Sequence, residues 1–288
     1  MSGRRDERPP RPGQVLTITS FANPRIKDIK ALALPKHRKE RGVFLGEGLK
    51  LVTDALAGHW PIEAVVYSTE AGEQPAVQKA AATARARGAD ILSVGSAVLA
   101  NVTRRENPQT VLGVFAQRLA PAADIVPGKS GVWVALETVR DPGNLGTIIR
   151  TVDAVGADGV ILIGDTVDPF SVETVRATMG SLFHVPLVRM SVAEFLALKG
   201  RWPGQIVGTH LSATADFRAG PYDRPTILLM GGERAGLTEP LAQACDRLVR
   251  IPMTGQADSL NLAVATGVML YEIRRNALPA SSESPVRP

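Results

Sequence analysis

The stretch DPGNLGTIIRTVDAVGADGV, residues 141–160, has the form of a glycine loop that opens a helix. Such a loop after a strand is typical of nucleotide-binding α/β proteins. Its two glycines, Gly143 and Gly146, do not complete the G-x-G-x-x-G pattern that places a dinucleotide pyrophosphate against the backbone. The stretch therefore favours an α/β fold and disfavours a nicotinamide-dependent oxidoreductase.

Two polar residues of this helix are candidate functional residues. Asn144 lies in the first turn, where an asparagine often does no more than cap a helix. Arg150 follows among Ile148, Ile149 and Val152, so a position on the polar surface is the less favoured interpretation. We expect Arg150 to point toward the carboxyl ends of the strands, where open α/β sheets bind their ligands.

The back half of the chain, residues 131–276, alternates apolar strands with helical stretches. The last helix is predicted over Leu260–Arg275. Alternation of this kind predicts an α/β domain with a mostly parallel sheet covered on both faces. The predicted strands are Val132–Leu136, Gly159–Ile163, Val185–Arg189, Gln205–Leu211, Thr226–Met230 and Leu248–Ile251.

The front half, residues 16–118, reads as a smaller α/β unit. A helix is predicted from Asn23-Pro24 to near Pro35, followed by a basic turn and a second helix over 47–57. Three strands near 62–68, 91–95 and 110–117 complete this unit, with a helix over 74–90. Residues 119–130 are predicted as a linker, and the polar segments 1–15 and 277–288 as disordered tails.

Composition narrows the class of protein. Of the 288 residues, 44% are apolar and 21% charged, a balance typical of a globular domain. The sequence contains no run of about 18 apolar residues, so no membrane-spanning helix is predicted. The N-terminus lacks the apolar core of a secretory signal. The one cysteine, Cys245, fits a reducing cytoplasm, and the four histidines show no metal-binding spacing.

Basic residues are concentrated at the front of the chain. The first 50 residues hold 12 lysines and arginines against 5 aspartates and glutamates. Such a cluster suits the phosphates of a folded RNA, although a solvated terminal segment would look similar. The cations that lie closest together are Arg25, Lys27, Lys30, Lys36, Arg38, Lys39 and Arg41.

Two further segments carry polar residues at the ends of strands. In ILLMGGERAGL, residues 227–237, a pair of glycines exposes backbone groups to a flat polar ligand, and Glu233 could serve only the helix dipole. In LVRIPMTGQADSLNLAVATGVMLYEIRR, residues 248–275, Ser259 could cap the last helix, whereas the Asn261 amide is free to bond elsewhere. The apolar face of that helix, which includes Val264 and Tyr271, suits core or dimer packing.

Together, N-x-G-x-I-x-R-T-x-D-A-x-G, G-G-E-R-x-G-L and I-P-M-x-G-x-x-x-S-L-N-x-A resemble the three motifs of the SpoU/TrmH branch of the SPOUT RNA ribose 2′-O-methyltransferases. The front half resembles that branch's substrate-binding domain in NPRIKDIKAL and NPQTVLGVFA. The resemblance covers about residues 16–275.

The resemblance implies a deep trefoil knot in the C-terminal domain, a homodimer through that domain, and S-adenosylmethionine as cofactor. It implies 2′-O-methylation of RNA, with 23S ribosomal RNA favoured and with tRNA, or a non-catalytic RNA-binding role, as alternatives. Arg150 could hold the 2′-oxygen or act as a base, and both roles stay open. The implied catalytic residues are Arg150, Asn144, Glu233, Ser259 and Asn261, and the implied cofactor-binding residues are Thr209, Leu211, Gly231, Ile251, Met253 and Leu260.

Overall fold

The structure, a computed structural model, describes residues 11–233 and 235–278. The predicted tails therefore lie mostly outside the described residues. The chain forms two compact units. Unit 1 holds the described residues up to Gln117 together with Phe170–Phe183, and unit 2 holds Arg118–Pro169 and the described residues from His184 onward.

The strands of the described residues divide between two sheets. Unit 1 contains β1 (Val15–Ile18), β2 (Val43–Glu47), β3 (Ile62–Ser68), β4 (Asp90–Val94) and β5 (Val111–Ala116). Unit 2 contains β6 (Val132–Glu137), β7 (Gly159–Ile163), β8 (Leu187–Met190), β9 (Gln205–Thr209), β10 (Ala215–Asp216), β11 (Thr226–Met230) and β12 (Arg247–Arg250).

The α-helices follow the same division. Those of unit 1 are α1 (Pro24–Ala31), α2 (Pro35–Arg41), α3 (Leu49–Ala57), α4 (Pro75–Ala86), α5 (Ser96–Thr103) and α7 (Val172–Thr178). Those of unit 2 are α6 (Pro142–Val155), α8 (Val192–Lys199), α9 (Glu239–Ala244) and α10 (Leu262–Arg274).

The sheet of unit 2 confirms the predicted parallel α/β fold. Its strand order is β10-β12-β9-β11-β6-β7-β8, and every pairing is parallel. Residues of β6, β7 and β11 are buried throughout, as expected for a sheet covered on both faces. The chain leaves β6 toward β7 and leaves β11 toward β12, in opposite directions. The carboxyl ends of β6 and β11 therefore mark a topological switch point, where α/β folds bind ligands.

The sheet of unit 1 has the order β1-β4-β3-β5-β2, with β5 antiparallel to both neighbours. Two strands were not predicted: β1, which starts inside the predicted tail, and β2. A turn was predicted where α2 forms. Pro35 at the start of α2 and a left-handed Gly42 at its end close this short helix, so the basic segment is helical.

The segment Phe170–Phe183 packs in unit 1, although the predicted domain 131–276 contains it. Aromatic packing explains this difference. The Phe170 ring lies 5.1 Å from the ring of Phe44, and the Phe183 ring lies 4.9 Å from Phe115 and 5.3 Å from Trp60. The segment therefore completes the apolar core of unit 1.

The predicted linker, residues 119–130, is part of unit 2. The Ala120 N–H donates to the Leu187 carbonyl at 2.8 Å, and Trp133 Nε1 donates to the Val126 carbonyl at 2.9 Å. Ile125 is 5% exposed and belongs to the core of that unit. Apolar burial and hydrogen bonds thus hold a segment whose prolines and glycines predicted a linker.

Candidate active site

A cavity of about 500 Å³ opens at the carboxyl ends of three neighbouring strands, β9, β11 and β12. Because these strands are parallel and adjacent, the loops that follow them meet at one edge of the sheet. The start of α10 closes the cavity. All six predicted cofactor-binding residues line it: Thr209, Leu211, Gly231, Ile251, Met253 and Leu260.

The loop after β11 is tightly folded. Gly232 and Gly236 form a β-bridge, and Gly236 has a φ of +67°. A Cβ added to Gly231 would lie 2.1 Å from the carbonyl carbon of Gly236 and 2.3 Å from the Leu237 nitrogen. Only glycine fits at Gly231, because the backbone of the same loop occupies the space of a side chain.

Three polar residues from separate parts of unit 2 meet at the rim of the cavity. Asn261 Nδ2 donates to Asn144 Oδ1 at 2.8 Å, and Asn144 Nδ2 donates to Glu233 Oε1 at 3.1 Å. The fold therefore brings Asn144, Glu233 and Asn261 together from positions up to 117 residues apart. The hydrogen bonds fix the orientation of both amides.

Neither Asn144 nor Ser259 is a helix cap, although the sequence allowed that role for both. Asp141 caps α6 by accepting from the Asn144 N–H at 2.6 Å, so Asn144 lies inside the first turn. Asn261 caps α10 through Oδ1, because α10 starts at Leu262 rather than at the predicted Leu260. Ser259 is thus no cap, and it lines the cavity together with Glu233 and Asn261.

The carboxylate of Glu233 has a lowered pKa. Partial burial acts to raise the pKa, but hydrogen bonds from the Asn144 amide and from the N–H groups of Asp141 and Arg140 outweigh it. Those two main-chain donors lie 3.4 Å from the carboxylate oxygens. Glu233 is therefore ionised at neutral pH and accepts from all three groups.

Comparison with known proteins identifies the family. The model of the SpoU rRNA Methylase family matches residues 131–271, and that of the MRM3-like substrate binding domain matches residues 23–113. The 23S rRNA (guanosine(2553)-2′-O)-methyltransferase RlmP of Bacillus subtilis is 31% identical over 260 residues, which are 89% of this chain and 98% of that protein. The chain belongs to the SpoU rRNA methylase family.

Other SpoU-family proteins match along nearly their full length. The 23S rRNA (uridine(2479)-2′-O)-methyltransferase of Streptomyces viridochromogenes is 31% identical, over 96% of this chain and 97% of that protein. The structure of an rRNA methyltransferase from Sinorhizobium meliloti, solved with bound AdoMet, is 51% identical. It superposes with a TM-score of 0.88 and covers 93% of this chain and 100% of that one.

We expected Arg150 to point toward the carboxyl ends of the strands, where the cavity opens, but it does not line that cavity. It is exposed on the face of α6 that also carries Gly143 and Thr147. It forms no hydrogen bond or ion pair with the described residues. The apolar neighbours in sequence face the core, because a helix turns about 100° per residue and separates them from Arg150. The guanidinium is therefore available to a ligand or to another chain.

One buried acid beside the loop after β11 was not among the predicted site residues. Glu137, the last residue of β6, is 3% exposed, and its two carboxylate oxygens accept from the N–H and hydroxyl of Thr238 at 2.8 and 2.7 Å. Thr238 precedes α9 and ends the loop that carries Glu233. The next residue, Thr138, has a φ of +54°, unusual for a β-branched residue. Through Thr238, Glu137 thus anchors the end of the loop that carries Glu233.

His210 also lines the cavity and was not predicted. Its Nδ1 accepts from the Ser212 N–H at 3.2 Å, so a neutral ring carries its hydrogen on Nε2. No local pattern distinguishes this histidine from the other three, and only the fold identifies its place.

The predicted RNA-binding residues of the SpoU-family substrate domain lie mostly at the surface. Lys27, Lys36, Lys39 and Arg41 are exposed. Four of the set have side-chain partners: Arg25 pairs with Asp90, Lys30 donates to Asn101, Lys36 lies 3.9 Å from Glu40, and Arg41 pairs with Glu63.

Arg38 differs from the other predicted RNA-binding residues. It is 2% exposed, and its Nη1 donates to the carbonyls of Leu32 and Ala33 at 2.8 and 3.0 Å. These hydrogen bonds hold the residues that follow α1 against α2. A side chain buried in this way does not reach RNA phosphates, so Arg38 is removed from the predicted RNA-binding residues.

Two further results concern metals and membranes. Within residues 11–233 and 235–278, no cluster of three His, Cys, Asp or Glu side chains could hold a metal ion. Among the helices of the same residues, none combines the length and the apolarity that crossing a bilayer requires.

Proposed function

We propose that this protein transfers a methyl group from S-adenosylmethionine to a ribose 2′-hydroxyl of 23S ribosomal RNA. One observation carries the proposal: the cavity lined by all six predicted cofactor residues meets the Asn261–Asn144–Glu233 chain at its rim. The names of the relatives from Bacillus subtilis and Streptomyces viridochromogenes support the substrate, and the AdoMet-bound relative supports the cofactor.

The cavity suits the cofactor. Its volume of about 500 Å³ lies in the usual range of small-molecule sites. Met230, Val249 and Leu262 give it apolar walls for a flat ring, while the backbone of Thr209, Gly231 and other loop residues offers hydrogen bonds. Bound there, S-adenosylmethionine supplies a methyl group activated by its sulfonium.

The polar residues orient the ribose. We assign catalytic positions to Arg150, Asn144, Glu233, Ser259 and Asn261. Fixed amides and a hydroxyl at the rim hold a 2′-oxygen in line for attack, and alignment of this kind can supply several kcal/mol. Arg150 either holds the 2′-oxygen and a neighbouring phosphate while the hydroxyl proton passes to water, or, as a neutral guanidine, accepts that proton itself. Because an arginine guanidinium is a hydrogen-bond donor without an acceptor, the holding role is the simpler one.

Three further features belong to the proposal. An exposed apolar face of α10, with Val264 52% and Tyr271 54% exposed, supports a homodimer through unit 2. A dimer would also cover α6, which packs on α10, and so could bring Arg150 to the partner's site. The family supports a trefoil knot around the cavity, and a ribosomal substrate supports a cytoplasmic location.

The decisive test maps 2′-O-methylation in ribosomal and transfer RNA with and without the gene. We expect one ribose of 23S rRNA to lose its methyl group when the gene is absent. Purified protein should restore it with S-adenosylmethionine. Calorimetry should detect binding of S-adenosylmethionine and none of NAD. A mark in tRNA, or RNA binding without any methylation, would replace the proposal by one of the two alternatives.

A further inference from the structure

Unit 1 carries a group of cations outside the basic segment singled out in the sequence. Glu47, the last residue of β2, has a side chain only 5% exposed, yet two arginines from distant parts of the chain reach its carboxylate. Arg176 Nη2, on α7, donates to both oxygens at 3.0 and 3.2 Å. Arg105 Nη1, just after α5, lies 3.5 Å from Oε2. One buried acid is thus shared by two basic side chains.

The group has a surplus of positive charge and unused donors. One carboxylate faces two guanidinium groups, which leaves a net charge of +1. The side chains of Arg105 and Arg176 are 37% and 41% exposed, although Glu47 is buried. Each guanidinium has five N–H donors, and only one nitrogen of each approaches Glu47.

The buried carboxylate also orients the arginines. Long basic side chains lose rotamer freedom when they bind a ligand, and a side chain already held in place loses less. Two planar guanidinium groups held around one anchor match the bidentate hydrogen bonding that phosphate oxygens favour. Two neighbouring acids, Glu106 and Glu173, are exposed and form no ion pair with either arginine among the described residues.

We propose that Arg105 and Arg176, oriented by Glu47, form a phosphate-binding site for the RNA substrate. The inference rests on the proposed function, because it adds a contact for the same RNA. The site lies at the end of β2, whereas the basic helix α2 precedes its start, so about 15 Å of strand separates them. An RNA backbone that contacts both sites would be fixed at two points of unit 1.

The dependence of RNA binding on salt tests the proposal. The probe is 23S rRNA transcribed in vitro, and the variant is Glu47→Gln with Arg105→Gln and Arg176→Gln, which leaves no buried charge unpaired. We expect about tenfold weaker binding at fixed salt. We also expect the slope of log K against log salt to become shallower by about 1.5, because two phosphate contacts are lost.

Two control variants and an unfolding measurement distinguish the loss of this site from a general loss of positive charge and from a loss of stability. Arg85→Gln removes an exposed arginine of α4 and should leave affinity and slope close to wild type. Arg105→Lys with Arg176→Lys keeps the charge and loses the planar donors, so it should weaken binding at an unchanged slope. Thermal unfolding of each variant shows whether it is folded. If the triple variant is unfolded, the lysine variant takes its place in the binding test.

The outcomes are distinct. Wild-type affinity and slope in the triple variant, or an equal loss in Arg85→Gln, would overturn the inference. Displacement of the RNA by inorganic phosphate at constant ionic strength would assign the site to free phosphate instead. S-adenosylmethionine binding should stay at wild-type strength in every variant. A wild-type protein that binds RNA but neither binds this cofactor nor methylates would refute the proposed function and leave the phosphate site standing.

Discussion

At the scale of single residues, the site depends on side chains that do two things at once. Asn261 caps α10 with its oxygen and bonds Asn144 with its nitrogen. Asn144 in turn joins Asn261 to Glu233. An asparagine suits these positions because its amide offers a donor and an acceptor at the same point.

Replacing Asn144 by alanine should remove this bridge. Because Asn144 does not line the cavity, S-adenosylmethionine should bind with wild-type affinity, while kcat should fall between about 10- and 100-fold as the rim residues lose their alignment. Methyl-transfer kinetics and calorimetry measure the two effects. Gln243→Ala is the matched control, since that amide bonds only Glu239 within α9. An unchanged kcat would show that the bridge does not orient the substrate.

The role of Arg150 can be tested by Arg150→Lys, which retains the charge and loses the planar pair of donors. We expect kcat to fall about 100-fold, as for the loss of one donor to a developing oxyanion. The control is Arg189→Lys, an exposed arginine on the edge strand β8. Near-full kcat in Arg150→Lys would exclude both roles that we assign to this residue.

Glu233 makes part of the stability dependent on pH. Its folded-state pKa lies below the ordinary value of 4.5, so its contribution is fully present above pH 4.5 and is lost as the pH falls through the folded value. Wild type should therefore have a higher Tm than Glu233→Gln at neutral pH, and the gap should close well below pH 4.5. A gap that stays constant across this range would mean that the carboxylate is not stabilised by its donors.

At the scale of elements, the loop after β11 gives the cavity its shape. Gly231→Ala places a methyl group against the backbone of Gly236 and Leu237, and forcing that backbone apart costs about 1–3 kcal/mol. We expect about tenfold weaker binding of S-adenosylmethionine in calorimetry. Gly255→Ala is the control, because a Cβ there meets no atom within 4 Å and its φ is not positive. Equal affinities in the two variants would contradict this account.

The elements of unit 2 could largely be predicted from the sequence, and those of unit 1 only in part. Buried parallel strands such as β6 and β11 are continuous apolar runs, which are conspicuous in any sequence. In contrast, β1 has four residues and pairs with β4, which lies more than 70 residues later. Short elements held by distant partners leave little local pattern.

The candidate site shows the same limit. The resemblance of three motifs to the SpoU/TrmH branch implied the residues that line the cavity and meet at its rim, whereas the glycines after β11 alone indicated only exposed backbone groups. The burial of Arg38 and the exposure of Arg150 could not be predicted, because each depends on which face of a helix meets the core. Glu137 acquires its role only when β6 and the start of α9 come together.

At the scale of the whole molecule, the proposed dimer gives the last prediction. Val264→Arg puts a charge on the exposed apolar face of α10, so the protein should become monomeric, with loss of methyl transfer. Light scattering and kinetics measure these changes. Leu196→Arg is the control, since Leu196 is 38% exposed on α8 and has no part in the proposed interface. A monomeric wild type, or an active Val264→Arg dimer, would exclude this interface.

The placement of Phe170–Phe183 in unit 1 has a practical consequence. A fragment ending at Gln117 would lack the two rings that cover Phe44 and Phe115. Such a fragment would expose aromatic surface to water and tend to aggregate. Unit 1 therefore cannot be produced as one continuous fragment of the chain. A fusion protein that contains unit 1 would also have to include the fourteen residues Phe170–Phe183.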